Sequence, residues 1–196
     1  GEYFVHTETD RKQEICRAER LLVATGRRPD TDGFGLELAG VRVGAKGEII
    51  VNEHLQTTNS DIYAAGDCTN HPSARYGRRL RLESVDSAFE QATSAALNLI
   101  GTATVHDKTP WFWSDQYDVK LIIVGLSQGH DRVVLRGDPA TRSFSACYLR
   151  DGELIAVDTV NSAKDQIVAR KLVAARVRPD PVRLADITLS LRDCVI

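Results

Sequence analysis

The chain has 196 residues, of which 42% are hydrophobic and 27% charged, and its 25 Lys+Arg nearly balance 27 Asp+Glu for a formal net charge of −2. This is globular composition, enough for one large domain or two small ones, and it excludes a nucleic-acid binder that relies on a strongly basic field. The longest apolar stretch, Leu121 to Leu126, is about a third of the roughly 20 residues that a membrane-spanning helix needs, and no signal peptide or lipidation box is visible. With no methionine and an opening Gly1-Glu2-Tyr3-Phe4 that reads directly as a strand, the sequence is expected to be a fragment or a processed piece of a longer protein.

The pattern then alternates between strand-like and helical segments. Glu2 to Thr7 alternates weakly, Thr9-Asp10-Arg11-Lys12 reads as a polar turn, and Arg20 to Thr25, closed by Gly26, reads as a buried strand. Arg27-Arg28-Pro29-Asp30 forces the chain out of that sheet. After a loop rich in glycine and acid, Glu48 to Asn52 and Ile62 to Ala65 are predicted strands, the second emptying into Gly66-Asp67-Cys68. A polar, arginine-bearing loop from Thr69 to Arg81 precedes the clearest helix, Ser84 to Ile100. There Val85, Ala88, Phe89, Ala92, Ala96 and Leu99 recur at spacings of three and four, which predicts an apolar stripe facing a core, and Gly101 ends the helix.

Thr102 to Pro110 is the best linker candidate. Beyond it strands are predicted at Val119–Val124, Arg132–Leu135, Ser143–Leu149 and Glu153–Val160, with Asp151-Gly152 as a hairpin turn between the last two. A helix from Ala163 to Val177 and a short one at Val182 to Asp186 complete the reading. The four cysteines, Cys16, Cys68, Cys147 and Cys194, show no C-x-x-C spacing, and the five histidines are scattered. No metal site is expected, and the thiols read as free in a reducing cytoplasm.

The segment with chemical content is Thr57-Thr58-Asn59-Ser60-Asp61-Ile62-Tyr63-Ala64-Ala65-Gly66-Asp67. A strand that ends in Gly-Asp sets closely approachable backbone beside a carboxylate at the C-terminal end of a sheet, where α/β folds bind ligands. Such a carboxylate accepts hydrogen bonds from sugar-like hydroxyls, although an isolated Gly-Asp is also a plain strand-ending turn. Downstream, Ser84 opens a helix whose unpaired N–H groups carry about half a positive charge. Ser84, or Ser87 with Glu90, also serves as an ordinary cap.

The eleven-residue frame resembles the second flavin-binding signature of the pyridine-nucleotide-dependent flavoprotein reductases. Gly77-Arg78-Arg79-Leu80-Arg81-Leu82-Glu83-Ser84-Val85 with Ala88 and Gln91, then Pro110-Trp111-Phe112-Trp113-Ser114-Asp115-Gln116-Tyr117, resembles the ferredoxin, rubredoxin and putidaredoxin reductase branch. This likeness covers residues 46 to 190. The front of the chain, Leu22 to Asp30 with Gly40-Val41 and Gly47 to Val51, looks closer to the mercuric reductase and dihydrolipoamide dehydrogenase branch.

The resemblance implies an α/β fold, the C-terminal part of a flavoprotein with two dinucleotide-binding domains plus a small α+β reductase domain. Residues 1–27 would end the NAD-binding domain, 28–105 form the second segment of the FAD-binding domain, and 106–196 form the C-terminal reductase domain. It implies FAD and NAD(P)H as cofactors, a ferredoxin-like iron–sulfur protein and the N-terminal remainder of the reductase as partners, and a cytoplasmic enzyme. By the same resemblance Asp67 would bond the ribityl chain of FAD and Gly66 would let it close on the backbone. Ser84 and Val85 would aim N–H groups at the flavin's N1 and C2 carbonyl edge, and Glu83 would orient the nicotinamide side or sit in solvent. Trp113 would shield the ring, ahead of Trp111, and Gly26 would lie on the nicotinamide-cofactor side. Arg75, Arg78, Arg79 and Arg81 would form a local basic docking patch or a solvated face. No G-x-G-x-x-G occurs, so these residues alone are not expected to reduce anything. Two other readings stay open: a mercuric or disulfide-type reductase, and a non-catalytic interface or assembly module.

Overall fold

The computed structural model describes residues 1–9 and 12–195. An antiparallel hairpin opens the chain, β1 (Tyr3–Thr9) against β2 (Lys12–Ala18), with nearly all of its side chains exposed. The central residues of the predicted polar turn, 10 and 11, lie outside the described residues.

The expected buried strand at Arg20–Gly26 is not formed. Leu22 is 88% and Val23 70% exposed. A strand apolar on both faces is stable only between neighbours and under covering helices, and the described residues supply none for it.

A small sheet follows. β3 (Ile49–Ile50) runs parallel to β4 (Thr69–Ser73), which pairs antiparallel with β5 (Arg78–Leu80). The predicted strand at Glu48–Asn52 is thus shortened, and the supposed loop from Thr69 to Arg81 is a hairpin. Ile62–Ala65 is not a sheet strand either. It folds back on the turn before it, with a bridge from Gln56 to Tyr63 and Ala64 N–H donating to the Leu55 carbonyl at 3.1 Å. Leu55, at φ 63°, and the Asn52 side chain, which accepts from the His54 and Gln56 N–H groups, make that tight turn the preferred partner.

Helix α1 (Val85–Leu99) begins where the spacing places it, with the Ser84 hydroxyl accepting from Ser87 N–H at 3.1 Å. Its orientation reverses the expectation. The buried positions are Ser87, Gln91, Ser94 and Ala95, whereas Val85, Phe89 and Leu99 of the apolar stripe are 69%, 71% and 61% exposed. Among the described residues nothing covers that stripe, and the inner face meets the Gly66 turn and β4 through the Gln91 side chain.

The linker is strapped down: His106 is buried and its N–H donates to the Glu53 carbonyl at 2.8 Å. A five-stranded antiparallel sheet then forms from β6 (Trp111–Gln116), β7 (Val119–Gly125), β8 (Arg132–Asp138), β9 (Ser143–Arg150) and β10 (Glu153–Val160), in spatial order β6-β7-β10-β9-β8. The Asp151-Gly152 turn joins β9 to β10 with both residues at positive φ, the conformation a tight hairpin requires. Registers align Trp111, Val124, Val157, Cys147 and Val134 in one row. That row packs under α2 (Ala163–Ala174) with Ala169, Leu172 and Val173. Gly125, at φ +75°, is confined to glycine because a Cβ there would stand 2.3 Å from the Ile155 carbonyl oxygen.

A buried ion pair fastens the tail. Arg136 Nε lies 3.1 Å from Asp165 Oδ2, which also accepts from Ser145 Oγ at 2.8 Å, and the same guanidinium reaches the Asp186 and Leu189 carbonyls beyond α3 (Pro181–Ala185). Breaking one side of such a pair leaves a buried charge uncompensated. Arg136→Ala is therefore expected to lower unfolding stability by about 3–5 kcal/mol in denaturant titration, whereas Arg142→Ala, whose partner Asp118 is fully exposed, is expected to leave it nearly unchanged.

Candidate functional site

The site is assembled where the turn after Ala65 meets the start of α1. Gly66 has φ +90°, a conformation that L side chains rarely adopt, and a Cβ built on it would lie 3.6 Å from the Ala88 Cβ, so the turn rests on the helix. Gly66 N–H donates to Gln91 Oε1 at 2.8 Å, and Thr69 Oγ1 donates to the same oxygen at 2.5 Å. Asp67 is exposed, and among the described residues its carboxylate accepts no protein hydrogen bond.

Arg81 ties three segments together. Its Nη1 donates to the Asp67 carbonyl at 2.9 Å and lies 2.6 Å from the Glu83 carboxylate, and its Nη2 donates to the Arg27 carbonyl at 3.2 Å. The basic run is thereby corrected. Arg75 caps the C-terminal end of α2 through the Val173 and Ala174 carbonyls at 3.0 and 2.9 Å, and Arg81 is committed to the site. Only Arg78 and Arg79 remain exposed, and both are hydrogen-bonded, Arg78 to Gln128 and Arg79 to the Asn70 and Val51 carbonyls.

Beside the α1 N-terminus lies a cavity of about 210 Å³ lined by Leu82, Glu83, Ser84, Trp111, Phe112 and Ile123, among others. One wall is peptide and carboxylate; the other is the β6–β7 edge of the five-stranded sheet. Trp111 is pinned by Arg170, whose guanidinium carbon sits 3.3 Å from a ring centroid, and it stacks on Trp113 with centroids 5.1 Å apart. Trp113 does not line the cavity: it shares Trp111's side of β6, packed against the domain core, while Phe112 points to the other side. Gly66, Asp67, Glu83, Ser84 and Val85 are thus brought together. Gly26 sits on exposed backbone, linked to the group only through its neighbour Arg27. Sequence reasoning missed Arg81, which it assigned to a surface patch, and Gln91, a polar residue within an apolar helix pattern.

Burial dominates the titrating groups nearby. Desolvation pushes the Asp86 carboxyl up, against hydrogen bonding from Trp111 that pulls it down, and it raises the Cys68 thiol. The Cys147 thiol is pushed up to about 12 by burial and Cys194 is raised as well, the opposite of an activated thiolate. His71 is lowered to about 4 by burial, then by His106 and Arg79, and burial lowers His106 too. A depressed histidine favours the neutral folded form, so the unfolded chain binds more protons between about pH 6.5 and 4. Stability is therefore expected to fall as pH drops through that window. His71→Gln should flatten the decline, as read from thermal unfolding at a series of pH values.

Two families match the chain in tandem: pyridine nucleotide-disulphide oxidoreductase over residues 2–92 and Reductase C-terminal over residues 111–195. The chain belongs to the pyridine nucleotide-disulphide oxidoreductase superfamily, whose members use FAD and NAD(P)H. Its relatives there are ferredoxin reductases. It is 45% identical over 180 residues to the 5,5'-dehydrodivanillate O-demethylase ferredoxin reductase subunit of Sphingobium sp., covering 91% of this chain and 43% of that protein. It is 40% identical to putidaredoxin reductase CamA of Pseudomonas putida over 75% of this chain and 35% of that one.

Among solved structures, the covalent putidaredoxin reductase–putidaredoxin complex superposes with a TM-score of 0.74 at 39% identity, over 81% of this chain and 37% of that one. The ferredoxin reductase from Rhodopseudomonas palustris gives 0.77 at 40% identity, over 85% and 41%. The chain therefore spans less than half the length of the relatives it matches. Among the described residues no helix is long and apolar enough to cross a membrane.

Proposed function

We propose that this chain serves as the C-terminal portion of an FAD-containing, NAD(P)H-dependent ferredoxin reductase that passes electrons to a ferredoxin-like iron–sulfur protein. The observation that carries this reading is that the Gly66-Asp67 turn rests on α1 and is tied through Arg81 to Glu83, which with Ser84 lines the aromatic-walled cavity at the helix N-terminus. The names of the relatives support the reaction class, and the length of those relatives supports a working unit that includes an N-terminal remainder.

The residues fit the flavin. Gly66 offers backbone without a side chain at positive φ, and the free Asp67 carboxylate suits a polyhydroxyl chain. The first-turn N–H groups at Val85 lack intrahelical partners, and Trp111 and Phe112 wall a slot for one edge of a planar ring. When bound, the flavin supplies hydride acceptance from the nicotinamide and single-electron release. The protein's part is positional and electrostatic. Asp67 holds hydroxyls, the helix end at Ser84 and Val85 favours negative charge on the ring edge, and the Arg81-paired Glu83 carboxylate flanks the nicotinamide side. Trp111 and Phe112 exclude water, with Trp113 extending the aromatic wall behind Trp111. Gly26 lies toward the nicotinamide cofactor.

The reading divides the chain at residues 27 and 105 into the end of an NAD-binding domain, an FAD-binding segment and a reductase domain, in a cytoplasmic protein. The exposed arginines Arg78 and Arg79 would speed encounter with an acidic iron–sulfur partner. A mercuric or disulfide-type reductase is disfavoured by the raised thiols of Cys68, Cys147 and Cys194. A non-catalytic module needs no unpaired carboxylate on a turn packed against a helix N-terminus.

The test is Asp67→Ala in the full-length protein. Losing hydrogen bonds to a charged group costs roughly 1.5–3 kcal/mol, so FAD affinity by fluorescence titration should drop about tenfold or more, with NADH-dependent ferredoxin reduction falling in step at limiting FAD. Unchanged flavin affinity retires the Asp67 assignment, and a full-length protein that stays colourless with FAD supports the module.

A further inference from the structure

This inference rests on the flavin reading above and deepens it: we infer that Gln91 is the positioning residue that locks the flavin-facing turn onto α1. Gln91 is fully buried on the inner face of the helix, almost two turns below Ser84. Its Oε1 accepts from Gly66 N–H at 2.8 Å and from Thr69 Oγ1 at 2.5 Å. Its Nε2 donates to Ser87 Oγ at 3.1 Å and lies 3.4 Å from His71 Nδ1.

The amide orientation is fixed by chemistry, since a backbone N–H can only donate and the group facing Gly66 must be the oxygen. All the hydrogen-bonding capacity of one side chain is used inside the protein. It joins three pieces that the chain separates: the Gly66–Thr69 turn, the first turns of α1, and the β4 strand that carries His71. No other side chain among the described residues bonds the Gly66 N–H.

The arrangement explains why α1 buries a polar face. The helix is held by its amide contact with the turn, and this fixes the distance from the Asp67 carboxylate to the N–H groups at Val85. A ligand that uses both ends reads that distance. Without Gln91 the Gly66 N–H would be left unpaired in a buried place, while the Thr69 hydroxyl would keep the Gly66 carbonyl, 2.8 Å away, as its acceptor, and the turn would relax toward water. Gln91 touches no bound group itself; it acts through Gly66 and through the helix.

The experiment compares Gln91→Leu and Gln91→Glu with Asp67→Ala in the full-length flavoprotein, reading FAD dissociation constants for the oxidised and reduced forms and hydrogen exchange over Gly66–Thr69. Gln91→Leu, similar in size, should weaken FAD binding at least tenfold and speed exchange of the Gly66 amide at least tenfold. It should also weaken reduced FAD more than oxidised FAD, because the helix end no longer meets the ring edge. Gln91→Glu keeps an acceptor for Gly66 N–H and should restore slow exchange and FAD affinity to within about threefold of the parent.

Parent-like FAD binding in Gln91→Leu overturns the inference, and so does Gly66 amide exchange that is as fast in Gln91→Glu, which keeps the acceptor, as in Gln91→Leu. If Asp67→Ala weakens FAD while Gln91→Leu does not, the flavin reading survives and the role of Gln91 falls. If the parent protein binds no FAD, both fall.

Discussion

One buried carbonyl oxygen organises this molecule: that of the Gln91 side chain, which receives the Gly66 N–H and the Thr69 hydroxyl. A buried amide of this kind is costly to leave unsatisfied and adds stability only when its partners are in place. It therefore acts as a register pin. The turn that bears Asp67 and the helix that begins at Ser84 can pack in one arrangement that satisfies it.

Around that pin the other contacts act as staples between segments. Arg81 collects the carbonyls of Arg27 and Asp67 and the carboxylate of Glu83. Arg75 reaches the carbonyls at the end of α2, and Arg170 of α2 lies over Trp111 of β6. Charged groups that would be ordinary on a surface are here used across joints. The result is an aromatic slot with one wall from the loop before α1 and the other from the β6–β7 edge of the five-stranded sheet.

Legibility in the sequence followed the locality of the forces. β10 and the Asp151-Gly152 turn were readable because alternation and turn chemistry act over a few residues. The limits of α1 were readable from Ser84 and Gly101 for the same reason. Arg20–Gly26 and the α1 stripe were misjudged because burial depends on what else packs there. Leu22 and Phe89 stay exposed because, among the described residues, nothing packs over them. The Gly66-Asp67 pair was legible through family likeness. Arg81 and Gln91 stood in the reductase-like motif, but their bonds to the turn were not foreseen, since a hydrogen bond spanning 14 or 25 residues leaves no periodic trace. That Trp111 and not Trp113 lines the cavity depends on where β6 meets the loop before α1, which no local pattern encodes.

The central claim is that the carboxylate-bearing turn and the helix end hold one flavin between them against the β6 aromatics. A crystal structure of the full-length protein loaded with FAD tests this most directly. The account predicts a ribityl chain within hydrogen-bond reach of Asp67, and a ring edge at the Val85 N–H against Trp111 or Phe112. A flavin seated elsewhere, with Asp67 in solvent and the slot beside Ser84 filled by protein, would contradict it.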